Sequence, residues 1–209
     1  IFKTGLNPKM VVHGEQRLTM HRPFPASVHV RATNKIIDVF DKGADKGAVV
    51  LMEREMSDKD SGEKIATLLM TIMARGDGGF GGPKGSGPAP HKVPDTEPDA
   101  VHDYLTSPRQ ALYYRLNGDR NPLHADPDFA AAGGFDRPIL HGLCSYGIAC
   151  RSVLKTFCDY DHTKLTGFDV RFSAPVIPGE TLRTEMWRDG DVVSFRMRAV
   201  ERDVVVLNN

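Results

Sequence analysis

The residues best suited to chemistry in this chain lie in Tyr114–His124, YRLNGDRNPLH, followed closely by RPILHG at Arg137–Gly142. Taken singly they are ordinary: Gly-Asp-x-Asn-Pro after a helix is a polar turn, and a lone histidine more often packs than reacts. Taken together, Asp119, Asn121 and His124 put a carboxylate, a carboxamide and an imidazole in one short non-regular segment. Pro122 stiffens that segment and Gly118 permits its sharp entry. Asp119 and His124 are therefore expected to face a common point at a fixed separation, which a mobile loop would not provide.

Such a set serves the hydration of a conjugated double bond. One group takes a proton from water, another delivers one to the adjacent carbon, and the developing enolate needs donors. An imidazole and a carboxyl group suit the first two tasks when their surroundings drive their pKa values apart. A backbone N–H at a buried helix's N-terminus suits the third, because the orphan amide and the helix dipole both favour negative charge. Gly142 stands at the expected start of such a helix and, lacking a Cβ, lets a carbonyl approach closely.

The elements that hold these groups read as follows. A helix is expected with Ser107 as N-cap, Pro108 at its first position and Gly118 just past its end. A second should run from about Gly142 to Phe157, with Leu143, Tyr146, Ile148, Ala149, Val153 and Leu154 making it apolar round much of its circumference. Strands should follow at Lys164–Pro175, Thr181–Arg188, Val192–Arg202 and Val204–Leu207, with Asp189-Gly190 as a hairpin signal. In the first half, strands are expected at Glu15–Pro23, Ser27–Phe40, Ala48–Met56 and Lys64–Ala74. Between the halves, Gly76–Pro98 is too rich in Gly and Pro for helix or central strand. It reads as a linker between an N-terminal repeat (1–75) and a C-terminal catalytic repeat (99–209). A buried helix wrapped by a long antiparallel sheet is the hot-dog arrangement, so the class is α+β. The second half contains a whole unit, and the first half has strands without an equally convincing central helix.

Composition narrows the class of function. The chain has 209 residues, 40% hydrophobic and 26% charged, with 27 Lys plus Arg against 27 Asp plus Glu. That balance gives no reason to expect a nucleic-acid or membrane partner. No apolar run is long enough to span a bilayer. The three cysteines, Cys144, Cys150 and Cys158, are odd in number, crowd one stretch and fit a reducing compartment. The chain begins at Ile1 rather than Met, as expected of a stretch taken from within a longer product.

The two motifs together resemble the signatures of the type-two enoyl-CoA hydratases, the R-specific MaoC-like family that includes the hydratase part of peroxisomal multifunctional enzyme type two. The family's Gly-Asp-x-Asn-Pro-Leu-His core matches Gly118 to His124, and its Arg/Lys-Pro-Ile-Leu-His-Gly-Leu-Cys matches Arg137 to Cys144. FSAPVIPGETL at Phe172–Leu182, TEMW at Thr184–Trp187, HGEQ at His13–Gln16 and FDKG at Phe40–Gly43 are similar to other parts of the double hot-dog enzymes. The resemblance implies a double hot-dog fold that hydrates trans-2-enoyl-CoA to (3R)-3-hydroxyacyl-CoA without a cofactor or metal. It implies Asp119 and His124 as the acid/base pair, Asn121 orienting water, and the Gly142 amide on the thioester oxygen. By family practice His124 is the base and Asp119 the proton donor. His13, Gly14, Lys42 and Phe172 would contact the CoA ester, with Lys42 bringing charge to its phosphates. Arg120, Pro122 and Leu123 would join the substrate contacts from the matched turn. A homodimer is implied, cytoplasmic in a bacterium and peroxisomal in a eukaryote.

Two departures stand out. Asn117 replaces the small hydroxyl or similar residue usual before the Gly-Asp. Relatives also carry a strand-and-helix segment before HGEQ, where only twelve residues precede it here. Either that segment lies outside this sequence or the first repeat, with its half of the acyl tunnel, is incomplete.

Other readings are weaker. Gly76, Gly78 and Gly81 match G-x-G-x-x-G, but Pro83, Pro88 and Pro90 follow where a dinucleotide site needs a helix. His124, Asp126, His141 and the cysteines lie near one another in sequence, yet no C-x-x-C or H-E-x-x-H spacing supports a metal site. A thioesterase or a non-catalytic acyl-CoA binder on the same fold is the alternative function. Retention of both titratable groups argues against a pure binder.

Overall fold

The structure, a computed structural model, describes residues 5–7 and 10–208. The chain divides into two compact units, one of residues 1–89 with 161–170 and one of residues 90–160 with 171–209. The third crossing between them, after Val170, falls inside a strand.

The first unit is built on four antiparallel strands, β1 (Val11–Met20), β2 (Val30–Asp41), β3 (Ala48–Asp58) and β4 (Lys64–Ala74). Their hydrogen-bonded order is β2-β3-β4-β1. β4 has the limits its apolar run predicts, and Ile65, Ala66, Met70, Ile72 and Ala74 on it are buried with Val49, Val50 and Leu51 of β3. A bulge falls at Gly14 in β1, where an added Cβ would stand 3.1 Å from Met73 Cγ and 3.2 Å from the Thr71 carbonyl. At the end of β1, the Met20 N–H donates to the Thr166 carbonyl at 2.8 Å.

The Gly/Pro-rich segment contains no helix or strand from Gly76 to Asp99, but it is held at many points. Within the first unit, Gly79 and Gly81 N–H donate to the Asp41 carboxylate at 2.8 and 2.7 Å, and Arg17 donates to the Pro88 and Ala89 carbonyls. Within the second, Trp187 Nε1 donates to the Thr96 carbonyl at 2.9 Å. No helix follows the glycines, so the dinucleotide motif lacks its anion site.

The second unit has the order β9-β8-β7-β5 for β5 (Ala100–Leu105), β7 (Thr181–Asp189), β8 (Val192–Ala199) and β9 (Val204–Asn208). The end of β6 (Gly167–Phe172) joins β9 through Arg171 and Phe172. Gly190, at φ +58, turns the β7–β8 hairpin where Asp189-Gly190 predicts it. β5 is a strand that the periodicity does not reveal. Of the helices α1 (Gln110–Tyr114), α2 (Pro127–Ala132) and α3 (Gly142–Phe157), α3 has its expected limits and lies against β5 and β7. It buries Cys144, Ser145, Ile148, Ala149, Ser152 and Val153, whereas Leu143 is exposed. Phe195, Leu182, Met186, Met197 and Leu207 form the fully buried centre of this unit's sheet. Each such side chain contributes about 1.5–3 kcal/mol of transfer free energy.

Candidate active site

The site grows from the segment between two helices. α1 (Gln110–Tyr114) starts later than expected, because the Ser107–Gln110 turn closes by an i→i+3 bond and the first i→i+4 bond runs from Tyr113 N–H to the Arg109 carbonyl. Ser107 still caps the approach: its Oγ accepts from Arg109 N–H, and Gln110 Oε1 accepts from Ser107 N–H. A 3-10 turn at Arg115–Asn117 ends on Gly118 with φ +103, a conformation that side chains other than glycine's resist. The chain then reverses through Asp119 and Arg120 into a second 3-10 turn, Pro122–His124. Two side chains pin this reversal from within. Asp119 Oδ1 accepts from Asn121 N–H, and Asn121 Oδ1 accepts from Leu123 N–H, each at 3.1 Å. Asn121 thus holds the turn as its cap.

The result carries His124 into the interior and leaves Asp119 exposed. His124 Nδ1 lies 2.8 Å from the Ile139 carbonyl. A carbonyl can only accept, so Nδ1 carries the proton and Nε2 presents its lone pair. Burial pushes the His124 pKa below the ordinary histidine value, with Arg115 acting in the same direction and the Ile139 carbonyl and Asp119 opposing. The ring is therefore neutral near pH 7, as a base must be.

His141, immediately before α3, stacks on His124 with centroids 3.7 Å apart and planes 28° from parallel. Its Nε2 lies 3.3 Å from the Asp119 carbonyl, and Tyr114 adds a tilted ring contact at 4.7 Å. Burial, reinforced by His124, lowers the His141 pKa to about 4. His141 figures in the sequence as a member of the second motif and as a weak metal candidate, with no catalytic or substrate role assigned to it. The sixteen residues between the two histidines carry no signal that their rings meet.

Gly142 opens α3, so its N–H has no partner inside the helix. A Cβ there would stand 3.0 Å from the Phe172 ring, which places Phe172 beside the helix start. Of the other predicted residues, Arg120 and Pro122 are exposed and Leu123 is half-buried. His13, Gly14 and Lys42 belong to the first unit. Burial lowers the His13 pKa, and Lys42 Nζ donates to the Gly85 carbonyl at 2.9 Å.

Asp119, His124 and His141 each bring a ligand atom within 4.8 Å of the others, the arrangement among the described residues that a metal would find most inviting. Stacking argues against it. Zinc sits about 2.0–2.1 Å from each ligating nitrogen, along a lone pair in the ring plane, and two rings lying face to face do not aim their lone pairs at one point. What the arrangement does supply is a neutral imidazole with its lone pair on Nε2, a carboxylate beside it and a helix-terminal amide at Gly142.

Residues 90–209 match the MaoC like domain, and residues 1–76 match the MFE-2 hydratase 2 N-terminal domain. The chain is 45% identical over 183 residues to 3-hydroxyacyl-thioester dehydratase Y of Mycobacterium tuberculosis, covering 87% of this chain and 63% of that one. It is 45% identical over 199 residues to a probable enoyl-CoA hydratase 2 of Dictyostelium discoideum, covering 94% and 67%. The chain thus spans about two thirds of the length of these relatives. A MaoC-like dehydratase from Phytophthora capsici superposes with a TM-score of 0.88 at 39% identity, over 97% of this chain and 70% of that one. A Mycobacterium tuberculosis protein described as having a double hot-dog fold matches with a TM-score of 0.60 at 17% identity, over 96% of this chain and 74% of that one. The fold is that of the double hot-dog proteins, and no helix among the described residues is long and apolar enough to cross a membrane. With more than half of its length matched, the chain belongs to the MaoC-like domain family.

Proposed function

We propose that this chain hydrates trans-2-enoyl-CoA to (3R)-3-hydroxyacyl-CoA and catalyses the reverse dehydration. The observation that carries the reading is the His124 imidazole, buried and bonded through Nδ1 so that Nε2 keeps its lone pair as the base, with Asp119 beside it. Nε2 of His124 takes a proton from water, whose oxygen adds to C3. Asp119, as the carboxylic acid, delivers its proton to C2, the Gly142 amide receives the enolate oxygen, and the proton gathered on His124 then returns to Asp119 to reset the pair. Asn121 holds the turn and orients the water. Phe172, Arg120, Pro122 and Leu123 contact the substrate from the catalytic repeat (99–209). His13, Gly14 and Lys42 of the N-terminal repeat (1–75), which precedes the linker (76–98), contact the CoA ester. The protein acts as a homodimer, in the peroxisome of a eukaryote or the cytoplasm of a bacterium. Relatives named as enoyl-CoA hydratase and hydroxyacyl-thioester dehydratase support this reading.

The test is to mix the chain with trans-2-enoyl-CoA and follow enoyl absorbance and free thiol together. Hydration removes the absorbance without releasing thiol, and thiol release would mark a thioesterase instead. Coupling to R-specific and S-specific 3-hydroxyacyl-CoA dehydrogenases in parallel should give signal with the R-specific enzyme. Signal only with the S-specific one would refute the pose, since a reversed thioester leaves the enolate without the Gly142 donor, at about 3 kcal/mol or more.

A further inference from the structure

His141 touches both members of the Asp119/His124 pair, yet no step of the reaction uses it. Its side chain is 1% exposed. One ring face covers His124 at 3.7 Å, and Nε2 stands 3.3 Å from the Asp119 main-chain carbonyl. As that carbonyl can only accept, Nε2 carries the proton. Nδ1 is buried and has no hydrogen-bond partner. As a lone pair this atom costs little, but as an N–H it would be an unpaired donor in the interior. The cationic form of His141 is thus disfavoured by geometry as well as by burial, and the ring stays a neutral plate.

From these contacts we infer that His141 is a positioning residue: it bonds the Asp119 backbone to the helix start and holds the His124 ring so that Nε2 faces the reacting water. It exchanges no proton with substrate. The inference rests on the reading of Asp119 and His124 as the acid/base pair. The charged and titratable groups that face the two rings are Asp119 and Arg115, with Tyr114 alongside, so changes at His141 act on His124 through packing and solvent access.

Three variants separate its two contacts: His141→Phe keeps a flat ring and loses the bond to Asp119, His141→Gln keeps a donor and loses the plate, and His141→Ala loses both. The readouts are kcat, KM and the acid limb of the kcat/KM profile with trans-2-enoyl-CoA. Misplacing a catalytic group by about 1 Å can cost on the order of 10²-fold. We expect kcat to fall about tenfold in the Phe and Gln variants and about 10²-fold in the Ala variant, with KM changed less than about threefold. The acid limb should stay in place with Phe and rise toward the ordinary histidine value with Gln and Ala, as water reaches His124. If Ala proves too unstable to purify, Phe and Gln still divide the two contacts. Wild-type kcat with an unmoved acid limb in the Gln and Ala variants would overturn the inference and leave the acid/base pair standing. A Phe variant as inactive as His124→Ala would overturn it by making His141 a proton-transfer group. A wild-type chain without hydratase activity would instead overturn the proposed function on which the inference rests.

Discussion

Two aspartates in glycine-rich turns, Asp41 and Asp119, meet opposite fates. Asp41 is 2% exposed, and its carboxylate accepts backbone N–H bonds from Gly43, Gly79 and Gly81 at 2.7–2.8 Å. Those bonds hold its pKa down to about 2. Its acceptor positions are consumed in closing the start of the linker against the first unit's sheet. Asp119 is exposed, with Asn121 N–H on one oxygen and two imidazoles within 4.8 Å. Asp119 directly follows Gly118, and Asp41 lies two residues before Gly43. What separates structure from chemistry is how much of the carboxylate the backbone has already taken.

Variants should divide along the same line. Asp119→Asn or His124→Ala should cut kcat by about 10²–10⁴-fold, the usual effect of losing a general acid or base. The double variant should lose little more than the worse single one, because the groups act as a unit. Melting temperature should hardly move for Asp119→Asn, whose side chain is solvated. Multiplying losses, read in steady-state rates, would break the contrast by making each group independent.

Gly142→Ala should come next, with kcat down about 10–10²-fold as the new methyl pushes on the Phe172 ring and shifts the amide donor. Gly118→Ala meets no neighbour within 4 Å, but φ +103 strains it. A cost of about 1–3 kcal/mol in urea unfolding is expected, with a smaller loss of rate than at Gly142.

Asp41→Ala should leave kcat at saturating substrate close to wild type while lowering the melting temperature. The sign of its pH dependence follows from its depressed pKa. The stabilisation is fully present above an unfolded carboxylate's value of about 3.9 and is lost as pH falls toward the folded value of about 2. Thermal melts of wild type and Asp41→Ala should therefore converge in strong acid. A constant gap between them would mean that the anion is not what holds the turn.

The sequence carried much of this, and its silences have physical causes. β4 and α3 have their predicted limits because an apolar run between turn residues, and a glycine-started amphipathic stretch, are local signals. β5, AVHDYL, was invisible because it is an edge strand, alternately exposed, that pairs only with β7. Asp103 and Tyr104 in it look like turn or surface residues until Arg183 of β7 forks onto Asp103 at 2.7 and 2.8 Å. The turn at Gly118–His124 was legible because every part of it is local. Asp41 reaching Gly79 and Gly81, and His141 covering His124, are pairings across the fold that no spacing rule announces.

The central claim is that one turn presents both proton-transfer groups to one face of the substrate. Hydration of trans-2-enoyl-CoA in D2O tests it most directly, since the deuteron at C2 and the oxygen at C3 record the faces from which each arrived. Proton coupling constants of the product should report addition of both from the same side. Addition from opposite sides would contradict the account, because Asp119 and His124 on a single short turn cannot reach both faces of a planar enoyl group.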